Sequence, residues 1–319
     1  MQPISRYFFP GLVAVFAIAC LYGIRGDLAH LSLAPLLRSW DLVLLAVLCS
    51  LLNYGFRIVR WQRYLARLGW RLPLRFVGLT YIAGFAFTVS PGKVGEMARA
   101  RYYSRLGVSL PNVAGAFFVE RLMDVMAMLV LAALLATAAP RYHAVMWSAG
   151  GMVVVVLMAL SLTPWEGIAH WFEGTRHFPR AITRLATGAA RALSAARTLL
   201  SPGALLYGFL LGLLAWGLEG VGFFVLGSMF PAGNLTVSSG AGIYAVAVLV
   251  GAVSFLPGGL GGTEAVMTAL LATHGFTVAD ALLVTLVCRI VTLWLAVLIG
   301  LAAVISLRYR LEPAVSSWQ

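Results

Sequence analysis

The chain has 319 residues, of which 61% are hydrophobic and only 11% charged, and its mean hydropathy is +0.92. Soluble domains carry about 45–50% apolar and about 25% charged residues. This chain is therefore read as an integral membrane protein with no room for a separate soluble catalytic domain, and its 23 Lys+Arg against 11 Asp+Glu as membrane topology rather than a nucleic-acid-binding surface.

A membrane helix needs about 20 apolar residues. In chain order, six stretches meet that need: 7–24, 41–56, 112–138, 145–162, 204–230 and 279–307. The first follows Arg6 and lacks a clean small-x-small cleavage site, so it is read as a retained span rather than a signal peptide. Two further stretches are interrupted. Residues 76–90 run into Pro91-Gly92 and then into Lys93, Glu96, Arg99, Arg101 and Arg105. Residues 241–256 run into Pro257-Gly258-Gly259 and a short apolar piece, 263–273. An apolar arm broken by Pro-Gly and followed by a segment too short or too charged to cross predicts a re-entrant hairpin.

Basic residues set the orientation. Arg57, Arg60, Arg63, Arg67, Arg71 and Arg75 form one cluster, and Arg176, Arg180, Arg184, Arg191 and Arg197 another. With both in the cytoplasm, the N-terminus, the stretch around Arg99–Arg105, Arg308 and Arg310 lie there too. Arg57 stands near a span end, where snorkelling accounts for it. Trp40, Trp61, Trp70, Trp147 and Trp165 read as interfacial belts. The linker at 178–200 is amphipathic, an interfacial anchor or a sensor of anionic lipid.

A repeat organises the rest. Pro91-Gly92-Lys93-Val94-Gly95-Glu96 returns as Pro257-Gly258-Gly259-Leu260-Gly261-Gly262-Thr263-Glu264, and Gly107-Val108-Ser109 returns as Gly275-Phe276-Thr277. The interval from Glu96 to Arg121 equals that from Glu264 to Arg289, 25 residues in each case. Leu52-Asn53-Tyr54-Gly55 is echoed more faintly by Leu214-Ala215-Trp216-Gly217. The charge count orients the two halves oppositely, which predicts an inverted repeat with one hairpin entering from each face, a transporter architecture. The expected fold is an all-α membrane domain over 1–319. Repeat one covers about 40–138, repeat two about 204–307, and a cytoplasmic linker about 164–203.

The site residues follow from the cost of ionised groups in a bilayer, which pair or line a cavity. Pro91, Gly92, Lys93, Gly95 and Glu96 of one break face Pro257, Gly258, Gly259, Gly261 and Glu264 of the other. Glycine lets backbone N–H groups approach a ligand, and a helix starting after each break would point its positive end at a phosphate. Arg121 and Arg289 would add bidentate contacts, with Glu96 and Glu264 as counter-charges, amine ligands or proton carriers. Asp124 belongs to this set, and Glu120 and Glu219 are further possibilities. The bland alternative makes Arg121, Glu120 and Asp124 an ionic lock between helices, and Glu264 a first-turn residue favoured by the helix dipole. Cys20, Cys49 and Cys288 all sit in apolar stretches and the five histidines are scattered, so neither a metal nor another cofactor is expected.

Ser90-Pro91-Gly92-Lys93-Val94-Gly95-Glu96, Val119-Glu120-Arg121-Leu122-Met123-Asp124 and Leu256-Pro257-Gly258-Gly259-Leu260-Gly261 together resemble the flippase-type transmembrane domain of lysylphosphatidylglycerol synthase, the multiple peptide resistance factor family. The resemblance implies a bacterial inner-membrane lipid translocase, and Lys93, Glu96, Arg121 and Asp124 match its motif positions. The family's bifunctional members add a soluble aminoacyl transferase domain that is not found here, so synthesis of the aminoacylated lipid is not expected. The expected partner is a lipid with a phosphate-bearing or aminoacylated headgroup, alongside a homo-oligomeric or lipid-biosynthesis enzyme contact. The competing expectation is a membrane-embedded transferase or an accessory protein of lipid, hopanoid or glycolipid synthesis. No DxD pair, nucleotide loop or nucleophile–His set favours catalysis, and with no ATP-binding motif, proton coupling, membrane potential or a downhill gradient is the expected energy source.

Overall fold

The computed structural model describes residues 33–136, 143–175 and 178–316. The stretch 7–24 lies outside them, as do Arg6, Cys20, Arg176 and His177. Among the described residues the chain is helical throughout, with no strand. A short α1 (Ala34–Arg38) leads into α2 (Trp40–Arg67) and α3 (Leu74–Phe85). A 3-10 stretch, Pro91–Arg99, and α4 (Ala100–Ser104) precede α5 (Leu110–Ala136) and α6 (His143–Leu162). Then come α7 (Trp165–Gly174), α8 (Arg180–Thr198), α9 (Pro202–Gly227) and α10 (Val237–Val253). A second 3-10 turn, Pro257–Gly259, precedes α11 (Gly262–Ala272) and α12 (Val278–Arg289), and a π-helical turn, Ile290–Trp294, joins α12 to α13 (Leu295–Ser316).

Among the described residues three helical runs are long and apolar enough to cross a membrane: Trp40–Arg67, Pro202–Gly227 and Val278–Tyr309. A fourth, Trp147–Leu162 with Trp165–Gly174, is bent by 62° at the intervening break. Leu44, Leu48 and Leu51 of α2, Val154, Val155 and Met158 of α6, and Leu298 and Ile305 of α13 are exposed. Apolar surface of that extent suits lipid, not water. Helix α5 is as long as these spans but carries Glu120, Arg121 and Asp124.

The spans pack in a set order. Helix α2 lies along α9, α3 against α13, and α10 against both α5 and α9. The interfaces are drawn close by small residues: a Cβ on Gly220 would sit 2.6 Å from Ala241 Cα, and one on Gly242 would sit 2.6 Å from Leu135 Cβ. Helix α8 docks on α5 by its small-residue face, through Ala190, Ala195 and Ala196, leaving Ile182 and Leu185 exposed.

The repeated turns have the same local form. Gly107 and Gly275 are both left-handed, at φ 82° and 88°. Val108 N donates to Tyr103 O, and Phe276 N to Leu271 O, closing the preceding helix in the same way. Ser109 and Thr277 then accept from Asn112 N and Asp280 N at the start of the next helix. The breaks themselves differ. After Pro257 a true helix starts at Gly262, whereas after Pro91 the chain stays 3-10 to Arg99, with Lys93 left-handed at φ 57°. Ser90 Oγ accepts from Gly95 N at 2.6 Å, and a Cβ at Gly95 would strike Phe87 O, so this segment is folded tightly on itself.

Candidate functional site: a cationic cavity between two helix breaks

The two breaks touch, and a cavity of about 180 Å³ lies between them. Of the residues expected at a site, Lys93, Arg121, Asp124, Glu219, Gly258, Gly259 and Arg289 line it. Pro91, Gly95, Glu96, Glu120, Pro257, Gly261 and Glu264 do not. Arg57, Asn53, Tyr54, Trp216 and Tyr244 join the wall, although as site residues they had not been expected. The faint echo of 52–55 in 214–217 was the available signal: Asn53 Nδ2 donates to Ala215 O at 2.7 Å, and both echoed segments reach the cavity.

Behind the first-half wall lies an ionic cluster. Glu120, fully buried, takes Arg99 Nη2 at 2.7 Å, Arg60 Nη2 at 3.4 Å and the Tyr81 hydroxyl. Arg60 Nη2 also reaches Asp124 Oδ1 at 2.6 Å, and its Nη1 donates to Gly208 O. Arg99 stacks 3.6 Å over the Trp61 ring, and Trp61 Nε1 donates to the Tyr103 hydroxyl. Arg57, Arg60 and Arg99 are therefore core residues at 5%, 0% and 0% exposure. This corrects their assignment to the cytoplasmic surface, the snorkelling of Arg57 and the place of Trp61 in an interfacial belt. Three acids from α5 and the first break hold these bases inside, where a lone charge would not be tolerated.

Glu96 does not pair with Arg121. It accepts from Thr88 Oγ1 at 2.8 Å and lies 3.8 Å from Arg57 Nη2. Arg121 turns instead to Asp124 Oδ2 at 2.9 Å, one helical turn on, and to Glu120 at 3.5 Å. In the second half Arg289 Nε donates to Glu264 Oε1 and its Nη2 to Gly258 O, both at 2.6 Å. Glu264 Oε2 accepts from Gly261 N at 2.6 Å, so one carboxylate caps α11 and holds the arginine. Glu219 accepts from Ser50 Oγ at 3.0 Å and has no cation within 4.0 Å among the described residues.

Several cavity donors are not used. Arg57 Nε and Nη2, Arg121 Nε and Nη2, and Trp216 Nε1 are buried without a hydrogen-bond partner. The Arg121–Asp124 contact is close but misaligned for a hydrogen bond. Lys93 has no carboxylate within 4.0 Å among the described residues, and its Nζ lies 5.2 Å from the Trp216 ring centroid. The Arg57 guanidinium stands over Phe85 at 5.2 Å and Trp216 at 5.6 Å. Native structures rarely strand buried donors, so such a set is expected to meet acceptors from a ligand or water.

The family model described as the lysylphosphatidylglycerol synthase TM region matches residues 9–300. The chain belongs to that family. The matched region contains both Pro-Gly breaks and every wall residue of the cavity. A UPF0104 membrane protein of Methanothermobacter thermautotrophicus is similar to this synthase-family chain at 24% identity, over 94% of this chain and 93% of its own length.

Proposed function

We propose that the protein is a lipid translocase of the bacterial inner membrane, which carries a phosphate-bearing or aminoacylated headgroup through the central cavity while the tails stay in the bilayer. It is not itself a lipid-modifying enzyme. The observation that carries this reading is the group of cationic donors without hydrogen-bond partners at the junction of two helix breaks. Irregular backbone at membrane depth is tolerated where it lines a cavity, and transporters place their sites there. Phe87, Val94 and Phe255, exposed on the breaks, offer an apolar margin to lipid tails beside the polar wall.

The fold proposed with it has six spans, two re-entrant hairpins, an inverted repeat and both termini in the cytoplasm. The packing order supports the repeat. If α2 corresponds to α9, α3 to α10 and α5 to α12–α13, then α3 against α13 mirrors α10 against α5. The α2–α9 contact and the contact between the breaks then fall on the symmetry axis.

The test is a flip assay in liposomes holding the purified protein and a trace of headgroup-labelled lipid, with membrane-impermeant quenching. Protein-dependent movement between leaflets is expected, and Arg121→Ala should abolish it with the melting temperature preserved. An Arg121→Ala protein that does not fold would favour the ionic lock. Undiminished flipping by a folded Arg121→Ala protein would remove the central headgroup site.

A further inference from the structure

The translocase reading leaves two headgroup chemistries, and the cavity distinguishes them. We propose that it selects a lipid headgroup of net negative charge, a phosphate ester without an amine, over an aminoacylated one. The lipid source rests on the translocase reading; the charge preference rests on the cavity.

The first observation is the balance of charge. Arg289 is matched by Glu264. Around the first-half wall stand Arg57, Arg60, Lys93, Arg99 and Arg121, and the acids near them are Glu96, Glu120, Asp124 and Glu219. Even with all four carboxylates ionised, the charged bases exceed the acids among the described residues by one. An uncompensated cation in a low-dielectric interior is costly, so this excess calls for an anion.

The second observation is the kind of valence left open. Five buried nitrogen positions on Arg57, Arg121 and Trp216 have no hydrogen-bond partner. Against them the wall offers two carboxylates: Asp124, whose Oδ2 also lacks a hydrogen-bond partner and faces Arg121, and Glu219, which accepts one bond from Ser50. An ammonium needs acceptors, whereas a phosphate brings several oxygens and no donor of comparable strength.

The third observation is how the cations are held. Arg57 and Lys93 rest against aromatic rings, Phe85 and Trp216. Ring faces steady a cation without using its N–H groups. Arg57 Nε and Nη2 thus remain open to a phosphate, while a lysyl or alanyl amine would enter beside Arg57 and Lys93 as a like charge.

The experiment is native mass spectrometry of the full chain with matched tails on phosphatidylglycerol, lysylphosphatidylglycerol and a neutral glucosyl diacylglycerol, paired with the flip assay. Phosphatidylglycerol should be retained about tenfold over both others, the change expected from one charge-assisted contact. Lys93→Gln and Arg57→Gln should each erase that preference. Lys93 has no ion pair within 4.0 Å among the described residues, so Lys93→Gln serves if Arg57→Gln fails to fold. Equal or greater retention of lysylphosphatidylglycerol, or an unchanged preference in a folded Lys93→Gln protein, would overturn the inference. If lysylphosphatidylglycerol is also the lipid flipped, translocation stands and only the charge preference falls. If no lipid is flipped, the translocase reading falls. Millimolar inorganic phosphate should not displace the lipid; a site that takes inorganic phosphate and retains no lipid selectively belongs to a free anion and overturns the lipid source.

Discussion

The two halves repeat the same acid-to-arginine interval yet use it differently. Glu264 and Arg289 form one direct pair, whereas Glu96 and Arg121 each find another partner. The reason lies in their neighbours. Arg121 is flanked on its helix by Glu120 and Asp124, while the corresponding positions around Arg289 are Cys288 and Thr292. Arg57 and Glu219 follow their echoed segments at the same distance, so the matched site carries a cation on α2 and an anion on α9. A shared chain path does not impose shared ion pairs; those are settled by which opposite charge is nearest once the helices pack.

The comparison predicts a graded response to charge removal. Glu120→Ala should be the most damaging, at about 3–5 kcal/mol, because it strands Arg99 and weakens the hold on Arg60. Thermal unfolding in detergent measures it, and an effect no larger than that of Glu264→Ala would break the contrast between the halves. Next comes the second-half pair: a double-mutant cycle over Glu264→Gln and Arg289→Gln should give a coupling of about 1.5–3 kcal/mol, as for a charge-assisted hydrogen bond. Glu96 with Arg121, run as the parallel cycle, should couple less, since the two make no ion pair within 4.0 Å. Tyr81→Phe removes one hydroxyl from Glu120 and should cost about 1 kcal/mol. Smallest of all, Glu219→Gln keeps an acceptor for Ser50 and breaks no ion pair, so its melting temperature should stay near that of the unaltered protein.

Much of the helical order was legible in the residues, and the misreadings share one physical origin. The span expected at 41–56 continues as one helix to Arg67. Arg57 ended it on paper because a charge marks a membrane boundary for an isolated helix. In the folded protein, acids more than thirty residues away in sequence hold Arg57 and Arg60 inside. Arg121, Asp124, Glu219 and Arg289 were legible as intramembrane charges, Lys93 only as a residue of the first break, and all five reach the cavity. Glu96 and Glu264 were legible too, but sit behind its wall and position arginines instead. Arg57 and Trp216 were hidden because their types are common at membrane interfaces; only the faint echo near them hinted otherwise.

By itself the sequence determined that the chain belongs in a membrane, where its apolar runs and Pro-Gly breaks fall, and that the glycine turn at Gly107 returns at Gly275. These depend on local hydropathy and on backbone conformations that few residues allow. Only the tertiary structure decided which base meets which acid, and which donors remain unpaired at the cavity. Coulomb energy in a low-dielectric interior depends on separations of a few ångströms, which packing sets and sequence spacing does not.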